Sequence, residues 1–350
     1  MCIRDSYEYY QRCQEYLLEP VVLSMSDTLF RMAGERHDER MQAVAIATRL
    51  DYYYFQGTNE DSVIHYTNKV KEFAKATHQP KYYYFAWANR LVTYYLKTSR
   101  TNIALYEVQN MLKEAQKEDD KTGLSRCYNI MSQIYTIKRF DSMAFEWRLK
   151  EIELTEKYNI ENYNISQTYA QIANYYISQK KQKEALRAVE KAISTANSST
   201  QQISAKLEYV NYYSKFGDFQ AAEKILKECQ IAFEQDKRLE SIKKRLYNIE
   251  CLYYQQTRQY QKALEAAEMQ EKEEHRLSES ILSSSHYRTQ GEIYQKMGNM
   301  NMAVKYLQMY INTDDSLKIA NEQVASSEFA TLLNVEKLNA EKKELMLQAQ

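Results

Sequence analysis

Glycine and proline are scarce in this chain, which has six Gly and two Pro in 350 residues. Sheets with tight hairpin turns depend on these two residues, so their shortage favours helices joined by short polar turns. Net charge is missing as well, because 47 Lys and Arg balance 47 Asp and Glu. A balanced chain has no field to attract nucleic acid or an anionic membrane, and we expect no nucleic-acid partner.

The motifs of enzymes and metal sites are also absent from the sequence. The five cysteines form no C-x-x-C pair, and the five histidines have no spacing such as H-E-x-x-H. No P-loop and no G-x-S-x-G element occurs. We therefore expect a non-catalytic chain without cofactor or metal. We expect its histidines to be solvated helix residues, and Cys127, Cys229 and Cys251 to be small buried thiols.

The sequence has no apolar run of the roughly 18–20 residues that a membrane-spanning helix needs. Its first six residues, Met1–Ser6, resemble a translated transposon end from a sequencing library, and we interpret them as an assembly artefact. On that interpretation the natural N-terminus and any export signal lie outside the chain. The last helix has no stop signal before Gln350, so we expect the protein to continue there too.

A ten-residue frame recurs along the sequence, in which a tyrosine near the end of one helix precedes by nine positions a small residue at the start of the next. The copies follow one another at intervals of 37 to 41 residues, and such a period indicates a stacked repeat protein. The pairs are Tyr54/Val63, Tyr95/Ala104, Tyr135/Ala144, Tyr176/Ala185, Tyr213/Ala222, Tyr254/Ala263 and Tyr294/Ala303.

The repeats predict an all-α solenoid of about eight antiparallel helix pairs over residues 7–315, with a degenerate first pair and no smaller domains. The predicted pairs are Tyr7–Leu18 with Val21–Gly34, Asp38–Phe55 with Asp61–Thr77, Lys81–Lys97 with Asn102–Glu118, Gly123–Ile137 with Asp141–Tyr158, Ser166–Gln179 with Gln182–Asn197, Ile203–Phe216 with Phe219–Gln235, Glu240–Thr257 with Tyr260–Ser278, and Ser280–Met297 with Met300–Ile311.

Residues 316–350 predict a separate long C-terminal helix, which Asp314 or Asp315 can cap. Two alternatives are open for it: a cap folded back on the last repeat, or a signalling stalk that forms a homodimer. A seven-residue spacing of mostly apolar residues favours a partial coiled coil. Its seam contains Leu317, Val324, Thr331, Leu338 and Leu345, with Leu332 and Val335 beside them.

The pattern of large and small residues within each copy resembles the tetratricopeptide repeat. The fifth copy carries it at Tyr169, Ile172, Ala173, Tyr176, Ala185, Val189 and Ala192, and the eighth at Tyr287, Gly291, Tyr294, Ala303 and Leu307. The resemblance implies a superhelix of helix pairs that binds proteins or peptides. The period of about 40 exceeds the usual 34 of that family, which implies longer helices.

The tyrosine-rich array with its charged last helix, Ser327–Glu344 in particular, resembles the sensor region of bacterial tetratricopeptide sensor histidine kinases and of related transcriptional regulators. That resemblance implies a binding and sensing region of a larger two-component signalling protein. It also implies a location on the periplasmic side of the inner membrane, with the cytoplasm as the alternative. The alternative function is a freestanding scaffold or adaptor that assembles protein complexes.

In the register of the family, the first helix of each pair lines a concave groove. The predicted groove residues are Asn129, Gln133, Gln171, Asn174, Asn211, Arg245, Asn248, Arg288 and Gln295, with Glu208 and Glu292 among them. Asn and Gln can both donate to and accept from a peptide backbone, and Arg can hold a carboxylate. The alternative is that these side chains are only solvated. Glu208 and Ile249 stand where a basic clamp for acidic chaperone tails would be, so we expect no such adaptor role.

Overall fold

The computed structural model describes residues 3–57, 59–277 and 284–348, and every regular element in these ranges is a helix. The chain divides into two compact units. Unit 1 contains residues 1–160 and 323–350, and unit 2 contains residues 161–322. The division follows the non-helical segment 159–164, where Asn159 adopts a left-handed conformation and ends a helix.

Unit 1 is built from antiparallel helices that follow the predicted pairs closely. They are α1 (Ile3–Glu15), α2 (Val21–Gly34), α3 (Glu39–Gln56), α4 (Glu60–Ala76), α5 (Pro80–Ala86), a π-helical segment (Trp87–Val92), α6 (Thr93–Lys97), α7 (Thr101–Lys117), α8 (Lys121–Ile137) and α9 (Asp141–Tyr158). The predicted helix Lys81–Lys97 is thus interrupted by a π-helical segment. That segment buries Trp87, Leu91 and Val92 and changes the phase of the tyrosines before and after it.

Unit 2 continues with the same construction. Its helices are α10 (Ile165–Ser178), α11 (Gln182–Ser194), α12 (Ser199–Phe216), α13 (Phe219–Gln235), a 3₁₀ segment (Lys237–Ile242), α14 (Lys243–Gln256), α15 (Tyr260–Leu277), α16 (Ser285–Lys296) and the first part of α17 (Met300–Gln348). The predicted helix Glu240–Thr257 begins instead within the 3₁₀ segment, in which the backbone N–H of Arg238 donates to the Asp236 side chain. The first residues of the predicted helix Ser280–Met297 lie outside the described residues.

The ten-residue frame contains a pair of backbone hydrogen bonds at the junction of two helices. In the fifth copy, the carbonyl of Tyr176 accepts from the N–H of Lys181 at 2.9 Å, and the carbonyl of Lys181 accepts from the N–H of Ala185 at 2.9 Å. Lys180 between them is left-handed, with φ of 56°. The copies at Tyr95, Tyr135, Tyr213, Tyr254 and Tyr294 make the same two bonds. This C-terminal cap explains how the chain turns with so little glycine.

The core of unit 1 is a contiguous hydrophobic cluster that extends from α3 to α8 and includes Tyr84, Trp87 and Ile134. Tyr84 is 1% exposed, and its ring lies directly over Gly123 at the start of α8. A Cβ atom on Gly123 would be 2.3 Å from Tyr84 Cζ, so this position needs glycine for close approach. The thiols of Cys127, Cys229 and Cys251 are buried, as predicted.

The last helix, α17, is continuous from Met300 to Gln348, so the prediction of a new helix capped by Asp314 or Asp315 is wrong. Both carboxylates lie beside Lys318 on the same helix, at 3.1 and 3.9 Å from its Nζ, instead of capping an end. Val324 and Leu332 of the predicted seam are half-buried, and Leu332 packs against the unit 1 cluster. The side chains of Leu317, Thr331, Val335, Leu338 and Leu345 lie outside the described residues.

Within the described ranges, no helix is apolar over a length sufficient to cross a bilayer.

Candidate functional site

Three helices of unit 2 present the longest connected set of polar side chains among the predicted groove residues. α12 packs between α10 and α14, which are the equivalent helices of the repeats before and after it. Residues at equivalent positions are therefore neighbours in space. Two hydrogen bonds between these helices, Asn211 with Asn174 and Arg245 with Glu208, join residues 37 positions apart in the sequence.

We call Asn174, Asn211, Glu208 and Arg245 the polar ladder. Asn211 Nδ2 donates to Asn174 Oδ1 at 2.6 Å and lies 3.5 Å from Glu208 Oε2. The other carboxylate oxygen of Glu208 accepts from an Arg245 terminal nitrogen. In the described residues, Asn174 Nδ2 and Asn211 Oδ1 have no hydrogen-bond partner. One donor and one acceptor thus remain on a half-buried surface, which is what a peptide amide requires.

The charges of the ladder are asymmetrically buried. Glu208 is 1% exposed, whereas the side chain of Arg245 is 25% exposed. A buried carboxylate is costly without a partner, so Arg245 compensates Glu208 from the more open side. Arg245 Nε is buried and has no hydrogen-bond partner within the described residues. The guanidinium therefore retains donor capacity after pairing with Glu208.

A cavity of about 400 Å³ opens beside Arg245, between α10, α12, α14 and the 3₁₀ segment before α14. The small side chains of residues such as Ala170 and Ala205 leave this volume unfilled, and polar groups surround it. The polar lining includes Gln167, Gln201, Ser204, Ser241, Lys244 and Asn248. The volume lies in the usual range for sites that hold small molecules or a few peptide residues.

The structure brings only part of the predicted groove together. Asn174 and Asn211 lie in the ladder, Asn248 lines the cavity, and Arg245 belongs to both. Gln171 is half-buried on α10. Arg288 pairs with Glu292 on α16 at 2.8 Å, and Gln295 is exposed on the same helix.

The two predicted groove residues of unit 1 satisfy one another and a neighbouring carboxylate. Gln133 Nε2 donates to Asn129 Oδ1 at 2.7 Å, and Asn129 Nδ2 donates to Glu151 at 3.1 Å. Glu151 is buried, so Asn129 is one of the groups that compensate its carboxylate. This arrangement gives Asn129 a local structural role in unit 1.

Sequence reasoning missed several residues that line the cavity, although a simple signal could have found them. Gln167, Ser204 and Ser241 each lie four residues before a predicted groove position. Side chains four apart share one helix face, so extending the stripe by one turn would have included them.

The prediction that all histidines are solvated is wrong for His286, which is 8% exposed on α16. Its Nε2 lies 3.2 Å from Glu271 Oε1, because α16 turns this face towards α15. His275, in contrast, has a side chain outside the described residues. Among the described residues, no three His, Cys, Asp or Glu side chains are grouped so that they could hold a metal ion.

Comparison with known proteins identifies the fold. No protein-family model and no curated relative matches the sequence. The apo form of RapI superposes with a TM-score of 0.55 at 15% identity, over 77% of this chain and 98% of that one. NprR in complex with its cognate peptide NprX superposes with a TM-score of 0.54 at 13% identity, over 77% of this chain and 78% of that one.

A tetratricopeptide repeat protein from Parabacteroides merdae is also similar, with a TM-score of 0.47 at 14% identity, over 92% of this chain and 99% of that one. The chain has a tetratricopeptide-like, all-α solenoid fold, which confirms the prediction from the repeat pattern. At these identities the likeness concerns the fold alone.

Proposed function

We propose that unit 2 binds a peptide or an extended protein segment, without catalysis, along the polar ladder and into the cavity beside Arg245. The observation that carries the proposal is the unused donor of Asn174 and the unused acceptor of Asn211. They belong to two side chains 37 residues apart in sequence whose other amide atoms are joined by a hydrogen bond of 2.6 Å. An extended backbone offers one C=O and one N–H per residue, which are the complements of these groups. NprR, whose fold is similar, was crystallised with a cognate peptide, and this supports the same class of ligand.

The cavity predicts which chemical group of the ligand binds there, either a side chain or the chain terminus. Arg245 lines the cavity with a side chain that is 25% exposed, and Asn248 and Gln201 add amide groups around it. A carboxylate that reaches this guanidinium would form a charge-assisted hydrogen bond, the stronger kind. We therefore expect bound peptides to place an acidic side chain or their C-terminal carboxylate near Arg245.

The test is binding of peptides selected from a random display library against the purified full chain. Replacing Asn174 and Asn211 together with Ala should weaken the selected peptides at least tenfold, because each loses a hydrogen bond worth about 1 kcal/mol. Lys224→Ala, on exposed surface of α13 outside the predicted groove, is the control and should leave affinity unchanged. Unchanged affinity in the Asn174 and Asn211 variant would refute the ladder as the binding site.

We further propose that this binding serves signalling, as the input region of a larger bacterial two-component protein on the periplasmic side of the inner membrane. The support is the sequence resemblance of the array and of Ser327–Glu344 to tetratricopeptide sensor proteins. A freestanding scaffold, or a cytoplasmic location, is the alternative. Sequencing the intact gene on both sides distinguishes them: an export signal and a kinase or regulator domain support the proposal, and their absence contradicts it.

A further inference from the structure

Glu328 is a buried acid in the charged C-terminal part of α17. Only 3% of it is exposed, and its carboxylate meets the first turn of α7 in unit 1, 226 residues earlier in the chain. Oε1 accepts from the backbone N–H groups of Asn102 at 3.0 Å and Ile103 at 3.2 Å. Oε2 accepts from the Asn102 side-chain amide at 2.7 Å.

The receiving helix end has no cap of its own. Arg100 occupies the N-cap position of α7 and makes no side-chain capping bond. The amide groups that a helix leaves open at its start, and the positive end of its dipole, favour a carboxylate there. Lys138 supports this end from the side: its Nζ donates to Asn102 Oδ1 at 2.8 Å, which leaves the Asn102 Nδ2 group directed at Glu328. Two backbone amides and one side-chain amide, the last held by the Lys138 ammonium group, thus form a carboxylate receptor.

A second contact lies one turn further along α17. Leu332 packs against the hydrophobic cluster of unit 1, and Val324 and Ala325, one turn before Glu328, are half-buried. Lys337 and Glu341 on the same helix are exposed. Residues four apart lie on one helix face, so Val324, Glu328 and Leu332 form a single docking stripe.

We propose that the segment Gln323–Gln348 is a reversible latch, bound to unit 1 through Glu328 and Leu332, and that the start of α7 is its receptor. This proposal is independent of peptide binding in unit 2. The stripe has a buried carboxylate at its centre, and the cost of removing that charge from water offsets much of what its hydrogen bonds contribute, so release into water is not prohibitive. Val324 and Leu332 also belong to the predicted coiled-coil seam, so a docked latch withholds both from a second copy of the chain.

Hydrogen exchange of the full chain, resolved to single amides by mass spectrometry, tests the docked contact. The N–H groups of Asn102 and Ile103 precede the first intrahelical bond of α7, so Glu328 is what protects them. Glu328→Gln should raise their exchange about tenfold, the equivalent of a lost hydrogen bond to a charged group, while α8 keeps its protection. Glu341→Gln, an exposed acid on the same segment, is the matched control and should match the wild type.

A peptide added in trans tests reversibility. A synthetic peptide of residues 320–340, added to the full chain carrying Glu328→Gln and Leu332→Ala, should restore protection of Asn102 and Ile103. The same peptide with Glu328→Gln should not. Unchanged exchange in the single variant would overturn the contact. Loss of protection throughout unit 1 that the peptide fails to restore would overturn the latch, since the segment would then be a fixed part of the core.

Discussion

Removal of Arg245 tests whether the buried carboxylate of Glu208 depends on the Arg245 guanidinium for charge compensation. Arg245→Met keeps most of the side-chain volume and leaves the Glu208 carboxylate, which is 1% exposed, without its cation. Loss of one partner of a buried pair costs about 3–5 kcal/mol, and the 25% exposure of Arg245 favours the lower end, about 3 kcal/mol. Glu208→Gln leaves an amide at the same place and should cost about 1–2 kcal/mol.

The double variant should cost less than the sum of the two single variants, by about 2 kcal/mol, because the neutral Gln no longer needs a cation. Urea unfolding provides the free energies. Both tryptophans, Trp87 and Trp147, are in unit 1, so their fluorescence reports unit 1 whereas far-UV circular dichroism reports all helices. We expect the ladder variants to lower the urea midpoint measured by circular dichroism and to change the midpoint measured by tryptophan fluorescence only a little.

An exposed pair provides the control for this experiment. Arg288→Met breaks the pair with Glu292, where both side chains are largely exposed, and should cost about 0.5 kcal/mol or less. Additive effects of the two ladder variants, within about 0.5 kcal/mol, would refute the coupling between Arg245 and Glu208. An equal loss of unfolding free energy in Arg245→Met and Arg288→Met would refute the idea that burial makes the ladder pair more costly to break.

Three further predictions concern individual positions. Gly123→Ala should destabilise unit 1 by about 1–3 kcal/mol in tryptophan-monitored urea unfolding, because the new methyl overlaps the Tyr84 ring; an unchanged midpoint would contradict this packing. Lys180→Gly should stabilise by about 1 kcal/mol, since only glycine adopts a φ of 56° without strain; a lower thermal midpoint would contradict the turn geometry. Burial lowers the pKa of Lys71, whose Nζ lies 3.2 Å from the Trp87 ring centroid, to about 8. Between this value and the ordinary lysine value of 10.5 the unfolded chain binds more protons, so stability should rise between about pH 8 and about pH 10.5, and Lys71→Met should flatten that rise.

The helix ends were predictable from local spacing because their hydrogen bonds are local. The tyrosine and the small residue nine positions later mark the two backbone bonds of one turn, and both partners lie within five residues of each acceptor. The burial of Cys229 and Cys251 was predictable in the same way, because both occupy small-residue positions of the repeat. The ladder was partly predictable. The equivalent faces of three helices identified Asn174, Asn211 and Arg245. They did not indicate that Glu208 is buried and contacts both Asn211 and Arg245.

Contacts between residues distant in sequence were decided by the tertiary structure alone. No local pattern indicates that Glu328 caps a helix 226 residues away, because a solvated acid and a docked one look alike in a charged helix. The burial of His286 also depends on which helix faces find partners. Local backbone geometry therefore determined the repeat and its helices, whereas the pairing of buried charges, which requires desolvation by specific neighbours, was settled only when the chain had folded.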